Sequence, residues 1–190
     1  MKCIVFVALI ACAWAAPKEA EVAQQPFQLP EFISNAQKNL NELAQNIKNQ
    51  INIPDQETVV NTLKNQSSSF VTNVQSYIDN VSEEIKKKTP ELQNVWSDIK
   101  TKLNKVVEDI NAQVPHAKES AEQLQKQFNE GVQTLVKESN NFAEQVKQNA
   151  GPIKEEIASF TKKAVDIAVE ASENLNEQLK KAAQQVEKKD

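Results

Sequence analysis

Apolar residues recur every eleven positions through almost all of this chain, and that interval restricts what it can fold into. Near the C-terminus Ile153, Ala164, Leu175 and Val186 form one row, Ile157, Ala168 and Leu179 a second, and Phe160, Ala171 and Ala182 a third. Leu124, Leu135 and Val146 keep the same spacing, as do Leu92, Leu103 and Val114, Ile99 and Ile110, Leu63, Val74 and Ile85, and Leu40 and Ile51. An α-helix turns by about 100° per residue, so eleven residues complete about three turns and the row drifts by only about 20°. Each stripe therefore stays on one side of a long, nearly straight helix. It can face sister helices or lie on a continuous oily surface. Alternating runs of strand length with hairpin turns are missing, so the expected class is all-α.

Proline divides the chain. Pro54, Pro90, Pro115 and Pro152 stand between stretches of helical period, and proline fits a first helical turn but breaks an interior. Five helices are predicted, near residues 31–52, 55–88, 90–113, 116–149 and 152–188. Thr89-Pro90-Glu91 reads as an N-cap, a proline at the first position and an acid at the positive end of the dipole. Lys86, Lys87 and Lys88 suit the opposite pole of the second helix, as Lys188 and Lys189 suit that of the fifth. Gly151 reads as the end of the fourth helix in a left-handed turn. Gly131, inside that helix, reads as a tolerated interruption that permits a bend, at a cost of about 1 kcal/mol relative to alanine. Short links make successive helices antiparallel. The expected fold is an elongated up-and-down bundle of five long amphipathic helices, about 50 Å in its longer members.

The first fifteen residues read as a signal peptide: Lys2 precedes an apolar stretch from Ile4 to Ala11, and Ala13-Trp14-Ala15 offers small residues for cleavage after Ala15. Residues 16–30, with Pro17, Pro26 and Pro30, read as a flexible leader or pro-segment, and 31–190 as the bundle. Cleavage would remove Cys3, Cys12 and Trp14, which leaves a secreted, extracellular chain without cysteine and with Trp96 as its single tryptophan. No disulfide would then hold the helices together. The chain contains no arginine and has a net charge of −4, which argues against a nucleic-acid partner.

Enzyme chemistry has little to stand on. His116 is the sole histidine, there is no phosphate loop or serine elbow, and one imidazole cannot assemble a zinc site; neither metal nor cofactor is expected. His116 reads as an exposed first-turn residue. Glu83-Glu84 and Glu155-Glu156 point about 100° apart on a helix and read as solvated charge. Asn65-Gln66-Ser67 and Asn80-Val81-Ser82 satisfy the N-glycosylation pattern, so Asn65 and Asn80 are candidate sites.

The apolar faces carry the remaining information. They comprise Ile33, Leu40, Leu43 and Ile47 in the first helix, and Leu63, Phe70, Val74, Ile78 and Val81 in the second. The third supplies Leu92, Trp96, Ile99, Leu103, Val106 and Ile110, and the fourth Leu124, Phe128, Leu135, Phe142 and Val146. In the fifth, Ile153, Ile157, Phe160, Ile167, Leu175, Leu179 and Val186 lie within about 60° of Ala164, a stripe about 120° wide. Lys154, Lys163 and Lys181 fall near its borders and Glu155 and Glu173 opposite, an arrangement suited to a helix lying flat on lipid as well as to a bundle. Ser67, Ser139, Ala117 and Ala150 occupy row positions and lower the packing contribution of each helix.

With an export signal, five such helices without cysteine and the eleven-residue period, residues 16–190 resemble the insect apolipophorin III family of exchangeable apolipoproteins. Ile51-Asn52-Ile53-Pro54-Asp55-Gln56-Glu57 is similar to the first helix junction of its orthopteran members. The resemblance implies an elongated five-helix bundle that binds lipoprotein surfaces rich in diacylglycerol reversibly, in haemolymph. The proline-bearing leader before Glu31 departs from the family pattern. Whether Val114-Pro115 carries the short connecting helix of some relatives stays open.

The expected protein is thus a lipid-surface switch, monomeric when lipid-free and without a transmembrane segment. Its partners would be lipids and lipoprotein particles, with Pro54, Pro90, Pro115 and Pro152 as hinges. The rival readings are a secreted structural coiled coil and an innate-immune binder of microbial lipopolysaccharide or β-glucan.

Overall fold

A computed structural model describes residues 29–50, 56–118, 120–147 and 154–186. The signal peptide, most of the leader, Ile51, Pro54, Gly151, Pro152, Ile153, Lys188 and Lys189 lie outside these. Five helices account for almost all of the described chain: α1 (Leu29–Gln50), α2 (Gln56–Lys88), α3 (Gln93–Gln113), α4 (Ala121–Lys147) and α5 (Lys154–Val186). No strand occurs among the described residues.

The helices alternate in direction. Gln133 donates to Asn41 while Lys48 lies beside the beginning of α4, near Glu122 and Lys126, so α1 and α4 are antiparallel. Lys102 pairs with Glu138 while Val106 and Ile110 reach Gly131, which makes α3 antiparallel to α4. Trp96 bonds Ser82 while Val106 and Phe70 meet at Gly131, which sets α2 against α3 in the same way. Glu84 lies near Lys163 and Lys88 near Glu156, so α2 and α5 also run in opposite directions. This is the up-and-down order that short links impose.

One feature of the packing departs from the expectation. Helices α2, α3, α4 and α5 form a closed ring, each packed on the next, with α5 returning to α2. Helix α1 lies outside this ring against α5 and α4, and makes no more than marginal contact with its sequence neighbour α2. Helices α4 and α5 therefore have two neighbourhoods to fill. On α5 Ile157, Phe160, Leu175 and Leu179 of the expected stripe are buried, but so are Val165, Ser172 and Asn176, about 80–120° further round from Ala164. On α4, Gln125, Val132, Val136 and Ala143 form a second buried row beside Leu124, Phe128, Leu135 and Phe142. Val136 lies beside Gln37 and Leu40 of α1, which covers it.

The joints also differ from the sequence reading in detail. Helix α1 begins at Leu29 and takes Pro30 into its first turn. Thr89 is buried and its side chain forms no cap bond; instead its carbonyl accepts from Leu92, and Pro90–Leu92 form a 3-10 turn ahead of α3. Pro115 does not start α4. Val114–His116 form a 3-10 turn that prolongs α3, since Val114 still donates to Ile110 whereas Pro115 has no N–H to continue the ladder. Helix α4 begins later, at Ala121, with Ser120 accepting from Gln123 and Leu124. His116 is exposed, in that turn and not in α4.

Gly131 has a reason that spacing does not reveal. A Cβ there would stand 2.7 Å from Val106 Cγ1, 3.0 Å from Ile110 Cδ1 and 3.2 Å from Phe70 Cε1. Three helices meet at this point, so the glycine serves close approach. In Gly131→Ala the gain in helix propensity, about 1 kcal/mol, opposes an overpacking cost of about 1–3 kcal/mol. Because Val106 branches at Cβ and its Cγ1 methyl cannot turn away freely, we expect a net loss of about 1 kcal/mol, read as a lower urea midpoint.

Candidate lipid-binding surface

The apolar faces identified in the sequence converge in one core. Ile47, Leu63, Val74, Leu103, Ile110, Leu124, Phe128, Leu135, Phe142, Leu175 and Leu179 have no accessible surface. Ile33, Leu40, Phe70, Ile78, Val81, Leu92, Trp96, Ile99, Val146, Ile157 and Phe160 are also buried. Three positions are only half-buried: Leu43, and Val106 and Ile167, which pack on the core from its margin. Ile153 lies outside the described residues, and Val186 ends α5 with its side chain undescribed. Of the expected hinges, Pro90 and Pro115 sit in the two 3-10 turns. Pro54 and Pro152 lie outside the description.

The core is larger than the stripes suggested. Val59, Val60, Val71, Tyr77, Val107, Val132, Val136 and Val165 are buried too. Several lie within one or two positions of a row member, and a stripe drawn at one interval passes them by. The third-helix end of the ring is aromatic. Trp96 stands 5.5 Å from Phe142 and 6.1 Å from Tyr77 between ring centroids, the latter edge-on, and Phe70 meets Phe128 edge-on at 5.3 Å.

A polar ladder crosses this region. Tyr77 of α2 and Ser139 of α4 share a hydrogen bond at 3.2 Å, and Thr161 of α5 donates to the Ser139 and Ile157 carbonyls. Trp96 Nε1 donates to Ser82 Oγ at 2.8 Å, and Ser82 donates to the Ile78 carbonyl. Burial disfavours the phenolate and pushes Tyr77 up to about 12, with the Ser139 contact acting in the opposite direction. Glu138, buried on α4, accepts from Lys102 of α3 at 2.8 Å and from Asn141. The outer surface carries one-turn ion pairs such as Lys87–Glu83, Lys88–Glu84 and Lys162–Asp166, exposed to water and weak for that reason. Lys88 holds the Glu84 carboxyl below the usual carboxylate range, first through their hydrogen bond.

Shallow grooves run along the outside. One of about 830 Å³ between α2 and α5 is rimmed by Glu83, Glu84, Lys88, Glu156, Lys163 and Asp166. Another of about 750 Å³ between α1 and α4 is lined mostly by glutamine and charge. The large apolar side chains lie mostly inside the bundle, on the inner faces of the helices. Among the described residues no helix is long and apolar enough to cross a membrane, and no group of three histidine, cysteine or acidic side chains is placed to hold a metal.

The model of the family described as apolipophorin-III precursor matches residues 37–182, which takes in nearly all of the bundle. The chain belongs to the apolipophorin-III family. Comparison with curated proteins and with solved structures returned no match. Membership in the apolipophorin-III family gives the protein an apolipoprotein-type role, the binding of lipid and lipoprotein surfaces, in a family that is not enzymatic. In this apolipophorin III the apolar faces of the helices are turned toward one another.

Proposed function

We propose that the protein is a secreted, exchangeable apolipoprotein of haemolymph that opens its bundle on lipoproteins enriched in diacylglycerol and so supports lipid transport. The observation that carries this reading is the inward orientation of the apolar faces of all five helices. Burying a large aliphatic side chain contributes about 1.5–3 kcal/mol, whether the neighbour is another helix or an acyl chain. The exchange is then close to balanced, and the amount of exposed lipid decides the state by mass action. Residues 16–190 contain no cysteine, so no disulfide opposes the change.

The 3-10 turns at Pro90 and Pro115 are the proposed hinges within the ring, because each interrupts the α-helical ladder where the chain reverses. Helix α1 is the proposed first part to leave. It covers the α4–α5 groove without closing the ring, and the Gln125 Nε2 in the neighbouring wall is buried without a partner. Wetting that seat satisfies the amide, which lowers the cost of lifting α1.

Mixing residues 16–190 with phospholipid vesicles and with a diacylglycerol-containing emulsion tests the function. We expect vesicle turbidity to fall, helix content to be retained, and Trp96 emission to change as its Ser82 bond and aromatic neighbours are lost. Unchanged turbidity and emission with both lipids would contradict the proposal.

A further inference from the structure

Ser67 presents a problem that the folded bundle does not solve. It sits in the middle of the inward face of α2, between Leu63, Phe70, Val71 and Val74, with no accessible surface. Its hydroxyl has no hydrogen-bond partner. A buried hydroxyl without a partner is destabilising, and alanine, smaller by one oxygen, would fit the same space without that cost. The second serine at a comparable sequence position is different: Ser82 accepts from Trp96 Nε1 and donates to the Ile78 carbonyl, so the fold itself uses it.

Two residues before Ser67 stands Asn65, which is exposed. On a helix the two point about 160° apart, so Asn65 lies almost opposite the apolar stripe. We infer that Asn65 is N-glycosylated, and that Ser67 keeps its hydroxyl for that reaction and not for the fold. The Asn-X-Ser pattern needs the hydroxyl at the third position while the chain is still unfolded in the secretory path, before Ser67 is enclosed. There the Asn65 amide nitrogen bonds to the anomeric carbon of an oligosaccharide carried on a lipid pyrophosphate. The sugar–phosphate C–O bond breaks, the lipid pyrophosphate leaves with its electron pair, and the amide gives up one proton. A glycan on the far side of α2 stays in water in the closed bundle, and also when the opposite face of α2 rests on lipid.

This inference rests on the export reading, so the test supplies export independently. The chain from Ala16 is expressed in insect cells behind a heterologous secretory signal, in an Asn80→Gln background that leaves only the first sequon. We expect the secreted protein to carry one glycan, released by peptide N-glycosidase, and to lose it in Asn65→Gln and in Ser67→Ala. Made in bacteria, without glycans, Ser67→Ala should melt about 2–4 °C higher than the parent, because it removes an unpartnered buried group. An unglycosylated secreted parent would overturn the inference, as would a lower melting temperature for the bacterial Ser67→Ala protein. Failure of the natural first fifteen residues to direct export would contradict the export reading alone.

Discussion

Phe128→Ala should lower the unfolding free energy by about 3–5 kcal/mol, the range expected for a fully buried aromatic. Phe128 has no accessible surface, meets Phe70 edge-on, and stands on α4 one turn before Gly131, where side chains of α2 and α3 crowd the helix. Those neighbours are themselves packed in the core, so most of the cavity should persist. Against a total stability of about 5–15 kcal/mol, the closed bundle would be left marginal. The effect on lipid uptake should have the opposite sign. If closed helices must part before lipid contact, raising the free energy of the closed state brings it nearer to the opening transition. Vesicle clearance by Phe128→Ala should therefore be faster than by the parent while its urea midpoint is lower. Clearance that slows together with stability would mean that lipid meets the folded exterior.

Alkali should loosen the bundle through Tyr77. Its hydroxyl is pushed up to about 12 by burial, above the ordinary value near 10 that applies once the chain unfolds. The protonated form is the one the fold tolerates, so its stabilising contribution is complete below pH 10. It is lost as pH rises through the folded value, because the unfolded state sheds the proton first. Across that window stability should fall by up to about 3 kcal/mol, from about two units at about 1.36 kcal/mol each. Tyr77 is the only tyrosine of the chain, so phenolate absorbance reports it without overlap. Tyr77→Phe should flatten the decline, at a cost of about 1 kcal/mol at neutral pH for the partner lost to Ser139. On lipid the Ser139 contact should be lost while the inner face of α2 stays away from water against acyl chains, so the phenol should remain above its ordinary value.

Much of this architecture is legible in the spacing of apolar residues. Leu124, Leu135 and Val146 are eleven apart and all face the core, because eleven residues return a helix to nearly the same side. The spacing did not single out the second rows, Val165 and Ser172 on α5 and Val132 and Val136 on α4, because several of their partners eleven residues away, Asn176, Thr161 and Gln125, are polar. They are buried because α4 and α5 each have neighbours on two sides, with α1 over their groove, and a periodic stripe carries no information about how many helices it will touch. Gly131 and Glu138 were opaque for a related reason. Their explanations lie on other helices, in Val106 and Ile110 for the glycine and in Lys102 for the acid, at separations no local pattern spans. At Pro115 the sequence marked the right joint, but the missing N–H produced a 3-10 extension of α3 before the chain turned into α4. Tyr77 could have been anticipated in part: it precedes Ile78 on the edge of the α2 stripe, yet only the fold supplies Ser139 as its partner.

The central claim, that the same inner faces serve the closed bundle and the lipid surface, is tested most directly by holding the bundle shut. In a chain from Ala16, which has no native cysteine, one reducible crosslink would join Asn41→Cys to Gln133→Cys and fix α1 to α4. A second would join Glu84→Cys to Lys163→Cys, across the α2–α5 contact that has no chain link. With both closed, vesicle clearance should fall by an order of magnitude or more and recover when the crosslinks are reduced. Clearance as fast in the crosslinked protein as in the reduced one would show that lipid binding does not require the helices to part.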